Sequence, residues 1–154
     1  MARSYRFISI AHEEALKSDL KFRVGAVITK GSKVLYTGHN NNRTKSLNTL
    51  AFCQHAEIEA ARNLQNRLLR KRDKNKNKRD FKKYIIWVTR VLSDETPSCS
   101  SPCADCIKKL TNMGFTKVGY TDSLGNIHIK RLDSLPHFLS DAQLNFKNNF
   151  SRFA

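Results

Sequence analysis

The chain reads as a layered α/β sandwich. Three observations predict it: segments with apolar residues at helical spacing, short β-branched runs between them, and an alternating order of α, β-β, α, β, α, β, β and a tail. At 154 residues with 40% hydrophobic content, the chain has the size of one domain, residues 1–154, around one core.

Residues 4–20 predict an amphipathic helix, because Phe7, Ile8, Ala11, Ala15 and Leu16 recur at helical spacing. Residues 24–29 are apolar and β-branched, Lys30-Gly31-Ser32 supplies a turn, and residues 33–37 place Val34 and Tyr36 on one face. Together they predict a β-hairpin. The polar, asparagine-rich stretch 38–49 reads as loop. Ala56, Ala60, Leu64 and Leu68 then form a core-facing helical stripe that runs out into charge and asparagine over 71–79. Residues 84–91 are nearly continuous β-formers, as a buried central strand requires. Residues 92–101 read as loop, with Ser101 as N-cap and Pro102 at the first position of a helix that buries Ile107, Leu110 and Met113 and stops at Gly114. Residues 117–121 and 127–131 are short strands. The turn between them is too short for a crossover, so they are expected to be antiparallel. The tail, 135–154, carries Phe138, Leu139, Leu144, Phe146 and Phe150 as packing anchors, interrupted by Pro136 and several asparagines.

Charged residues interrupt residues 1–20, and no apolar run approaches the ~20 residues a membrane helix needs. A soluble intracellular protein, cytoplasmic or nuclear and without a membrane partner, is expected. The net charge is +15, and it is uneven: residues 62–83 hold eleven Lys or Arg against Asp73 and Asp80. This basic insertion, about 66–83, reads either as a solvated loop or as a surface facing nucleic acid.

Four cysteines in a chain of this kind favour metal or redox chemistry over disulfides, since two of them form a Cys-x-x-Cys. A thioredoxin-like reading is weak, because His55-Ala56-Glu57 precedes Pro102-Cys103-Ala104-Asp105-Cys106 at domain distance. One imidazole and two thiolates suit Zn2+. Cys103 and Cys106, three apart, face one side of a helix, in a first turn where the dipole favours thiolate. With His55 as third ligand, the fourth position stays open for a water whose pKa falls towards ~7. Glu57 is then free to move protons, provided that the turn at His55 is the start of its helix. A fourth thiolate from Cys53 or Cys99 would instead close the site; otherwise those two cysteines are small hydrophobes. His12, His39, His128 and His137 read as surface or packing residues, with His39 near the presumed cleft.

These motifs resemble the cytidine deaminase superfamily, whose pattern is H-x-E or C-x-E followed by P-C-x-x-C. Val24-Gly25-Ala26-Val27-Ile28 resembles the family's first core strand, and Gly38-His39-Asn40 its G-x-N segment. The resemblance covers about residues 20–132. It implies a three-layer α/β/α sandwich around a five-stranded mixed sheet, with the active site at two helix N-termini. It also implies a Zn2+ cofactor and a sugar contact from Asn40, with Asn42 in reserve. Two features depart from compact members. The 45 residues from Glu57 to Pro102 are a long spacing, and Asn41, Asn42 and Arg43 stand where the nucleoside branch has an acid. Arg43 or the insertion is suited to a phosphate. Ser-Pro-Cys rather than Glu-Pro-Cys leans towards cytosine, and an antiparallel final strand pair leans away from tRNA-adenosine editing.

The function expected is a zinc-dependent hydrolytic deaminase that converts a cytosine-type base to uracil in a nucleoside or nucleotide. Two other readings stay open. One is a cytosine or adenine deaminase of single-stranded DNA or RNA, tRNA included, with Phe52, Trp87 or Phe115 as a stacking residue. The other is a non-enzymatic zinc-stabilised binding module, against which Glu57 and Pro102 weigh. Many relatives assemble, so a homo-oligomer belongs among the implied partners.

Overall fold

A computed structural model describes residues 2–20, 22–41, 45–46, 49–50, 55–70, 81–92 and 97–136. Within it, helix α1 (Ala2–Ala15) leads into strands β1 (Arg23–Lys30) and β2 (Lys33–His39), a two-residue pair β3 (Lys45–Ser46) and β4 (Thr49–Leu50), and helix α2 (Ala56–Arg70). Strands β5 (Tyr84–Val91) and β6 (Pro97–Ser98), helix α3 (Ala104–Met113), strands β7 (Lys117–Thr121) and β8 (Ile127–Arg131) and a 3-10 turn (Leu132–Ser134) follow.

The main sheet runs β2-β1-β5-β7-β8, with β6 paired to β5 off this path. β5 and β7 are parallel, whereas β1 is antiparallel to both β2 and β5, and β7 is antiparallel to β8. This is the layered α/β arrangement that the pattern predicts and the five-stranded mixed sheet that the resemblance implies, with β6 as an addition. Residues 97–98 fold back on Arg90 and Val91 rather than lying in a plain loop, and β3-β4 form a small ladder where only loop is expected.

The two faces are separated by strand alternation. Ala26, Ile28, Ile86, Val88 and Val118 point into one cluster with Ala56, Ala60, Leu64, Ile107 and Leu110 of α2 and α3. Val27 and Trp87 point the other way, onto Phe7 and Ala11 of α1. Trp87 packs at 5.4 Å on Phe7, and its Nε1–H donates to Thr29 Oγ1 at 2.8 Å. Trp87 and Phe115 are both buried, so neither offers a stacking surface.

Local chemistry sets the boundaries. α1 ends at Ala15, short of the expected residue 20, because Lys17 and Ser18 tighten the last turn with bonds to the carbonyls of Glu14 and Ala15. Leu16 is consequently exposed rather than part of the apolar face. α3 begins two residues later than expected: Cys103, extended at φ −73°, ψ 168°, is the N-cap, not Ser101. Gly114 stops it at φ 108°, a left-handed conformation that returns its N–H to the helix's last carbonyls. Gly38 lets β2 lie directly on α2, since a Cβ there would meet the Ala56 carbonyl and the Ala60 backbone. That contact places the head of α2 against the end of the sheet.

Of the basic insertion, residues 66–70 complete α2 and 71–80 lie outside the described residues, as does the tail from 137. No described helix is long and apolar enough to cross a membrane.

Candidate active site

Two helix N-termini meet at the site. His55 immediately precedes α2, and its carbonyl accepts the first helical bond, from Glu59 N–H at 3.0 Å. Cys103 does the same for α3 through Ile107 N–H at 2.9 Å, and Cys106 lies in that helix's first turn. The unpaired N–H groups and dipole of each helix start favour negative charge there.

His55 Nδ1 lies 3.0 Å from Cys106 Sγ and 3.6 Å from Cys103 Sγ, and the three donor atoms fall within 4.8 Å of one another. Zinc bonds of about 2.3 Å to sulfur and 2.0–2.1 Å to nitrogen put tetrahedral donors about 3.5–3.8 Å apart. The cluster therefore fits Zn2+ with little adjustment. Among the described residues the group has these three members. Cys99 is exposed and outside it, so it is not the small buried hydrophobe expected, and Cys53 lies outside the described residues.

The protonation of the metal-free cluster is uneven. The proximity of the two sulfurs works in opposite directions on them. Against the cost of burial, it brings the Cys103 thiol down to about 4, helped by His55. The same proximity, with burial, pushes Cys106 well up. Zinc held by these residues would bind both sulfurs as thiolates.

Glu57, in the first turn of α2, is buried at 4% exposure. Burial raises its carboxyl above the usual range, and the attraction of His55 opposes this only in part. A carboxyl raised in this way keeps its proton to a higher pH than an exposed glutamate does.

Asn40 is buried beside the start of β1. Its Oδ1 accepts from Val24 N–H at 2.9 Å, and its Nδ2 donates to the Phe22 carbonyl at 2.6 Å. Asn42 and Arg43 lie outside the described residues. His39 turns away from this face: Gly38 faces α2, so its neighbour faces α1, where Nδ1 meets the Glu14 carboxylate at 2.9 Å. Its bond and that of Lys17 hold the Glu14 carboxyl low against the opposing effect of burial.

Ser100 carries no sequence signal, being one serine in a Ser-rich loop, yet it fixes the cysteine segment. The β5/β7 ladder ends at Val88↔Tyr120. There the Ser100 hydroxyl donates to the Val88 carbonyl at 2.8 Å and accepts from Thr121 N–H at 2.9 Å. The Ser100 N–H adds a bond to the Thr121 carbonyl at 2.9 Å. A side-chain hydroxyl thus stands in for a ladder rung and pins the chain three residues before Cys103. Ser100→Ala strands two buried backbone groups and should cost about 2 kcal/mol or more of stability in denaturant unfolding. It should also speed zinc loss to a chelator about tenfold, as loss of a ligand's support does.

The family model for the cytidine and deoxycytidylate deaminase zinc-binding region matches residues 1–121. No curated protein matches the chain. Among solved structures, cytidine deaminase from Burkholderia pseudomallei is similar at 20% identity and a TM-score of 0.56, over 87% of this chain and 98% of that one. The dCMP deaminase of cyanophage S-TIM5, in apo form, is similar at 24% identity and a TM-score of 0.49, over 77% and 82% of the two chains. At 20% identity the likeness to the Burkholderia structure bears on the fold alone.

Proposed function

The chain belongs to the cytidine and deoxycytidylate deaminase zinc-binding family, and from that footing we propose that it hydrolyses the amino group from a cytosine-type base in a nucleoside or nucleotide, leaving uracil and ammonia. The observation that carries this reading is a buried carboxyl, Glu57, at the head of the helix that also presents His55 to Cys103 and Cys106.

His55, Cys103 and Cys106 would hold Zn2+, which supplies a Lewis acid that makes water nucleophilic near neutral pH. Glu57 takes a proton from the attacking water and gives it to N3 of the base. It then carries the second proton to the departing amine. The C4–O bond forms, the C4–N bond breaks, and water and cytosine become uracil and ammonia.

Asn40 is the proposed sugar contact. Its Oδ1 is bonded to β1 at Val24 and its Nδ2 to Phe22 just before that strand, yet each keeps one further hydrogen-bonding position, which a sugar hydroxyl would use. Asn42 is the reserve contact, and Arg43 is proposed to face a phosphate. Ammonia release from cytidine, deoxycytidine, dCMP and a cytosine-containing single strand tests the reading. Turnover of one of them supports it, and none from zinc-loaded protein overturns it.

The +9 stretch over residues 62–83 favours a second reading, in which the substrate is a polynucleotide. Deleting residues 70–80 should then weaken single-strand binding and flatten its salt dependence, measured by fluorescence anisotropy across ionic strengths. Unchanged affinity makes the run a solvated loop.

A further inference from the structure

Arg90 ends the series of inward-facing residues on β5. Tyr84, Ile86 and Val88 belong to the core cluster that contains Cys103 and Cys106, and strand alternation puts Arg90 on the same face. Its cross-strand partner is Val24, which packs against that cluster. It also lies at the same end of the sheet as the cysteine segment, two residues beyond the Val88 carbonyl that Ser100 caps.

Among the described residues the Arg90 guanidinium has no anionic partner. Its Nε is buried and makes no hydrogen bond, and among the described residues no carboxylate pairs with it. Among the described residues it meets an aromatic face: Cζ sits 4.7 Å from the centroid of Phe22, which is 44% exposed. A cation–π contact holds the plane of the fork but satisfies none of its N–H donors. The Phe22 carbonyl is in turn bonded by Asn40 Nδ2. Asn40, Phe22 and Arg90 thus form one continuous strip at the site's end of the sheet.

We propose that Arg90, held flat on Phe22, binds a phosphate group of the substrate and so makes the site selective for phosphorylated cytosine compounds over the free nucleoside. The proposal rests on the deaminase reading. A planar fork whose buried Nε makes no hydrogen bond among the described residues matches phosphate oxygens two at a time, and a phosphate supplies the anion that no described residue provides. The phosphate could be that of a mononucleotide or the diester of a strand, since both present the same oxygens.

The test compares zinc-loaded wild type, Arg90→Gln and Arg90→Lys, full length, on deoxycytidine, dCMP and a single-stranded oligonucleotide with one cytosine. Arg90→Gln should raise KM for the phosphorylated substrate about tenfold or more. kcat/KM for deoxycytidine should stay within about twofold, with Arg90→Lys intermediate because it keeps the charge and loses the fork. A loss confined to dCMP assigns a monoester, and one confined to the oligonucleotide assigns a diester. Equal losses on all three substrates, or none on either phosphorylated one, overturn the proposal. Calorimetric titration of dCMP into the same proteins separates the two readings. No turnover from wild type defeats the deaminase assignment, whereas dCMP binding that is lost in Arg90→Gln still upholds the phosphate contact.

Discussion

Glu57→Ala should yield a folded protein with its full complement of zinc and turnover reduced by about a thousandfold or more. The carboxyl is not among the three grouped donors, so its loss leaves the metal set intact. It is buried without a cation of its own beyond the partial attraction of His55, so removing it also relieves a desolvation cost. Stability should therefore change little, while the proton path from water to N3 and the amine disappears. Metal analysis and ammonia release on the same sample check this. Comparable turnover in the variant would rule Glu57 out of the chemistry.

Cys106→Ser should have the opposite signature, losing metal first and activity as a consequence. Cys106 is 1% exposed, and its sulfur lies 3.0 Å from His55 Nδ1, at the centre of the cluster. A serine hydroxyl does not deprotonate to bind zinc at neutral pH, so two ligands remain. Zinc at a thousand times its dissociation constant adds about 4 kcal/mol to the stability of a folded site, and that increment should vanish in the variant. Chelation of the wild type should give the same drop in denaturant unfolding, and chelation of the variant no further change. A Cys106→Ser protein that keeps one zinc per chain would move the metal elsewhere.

Much of the frame was legible because burial imposes period. The Ala56, Ala60, Leu64 stripe, the unbroken run over Tyr84–Val91 and the stop at Gly114 each match a single element. The zinc donors were legible because ligand spacing and helix starts constrain each other. What stayed hidden depends on partners distant in sequence. Ser100 acts through Val88 and Thr121 and leaves no periodic trace. The Arg90–Phe22 pair joins a strand end to a segment far upstream, and His39 turns to α1 only because Gly38 must face α2. The N-cap falls on Cys103 rather than Ser101, although propensity favours serine, because Cys103 is the extended residue from which the helix starts.

The open fourth position is the claim on which the hydrolytic account turns, and zinc K-edge X-ray absorption on the full chain reads it directly. Two sulfur donors, one imidazole nitrogen and one light-atom donor that exchanges with solvent are predicted. A third sulfur in the shell, from Cys53 or Cys99, would mark a closed structural site and contradict the enzyme.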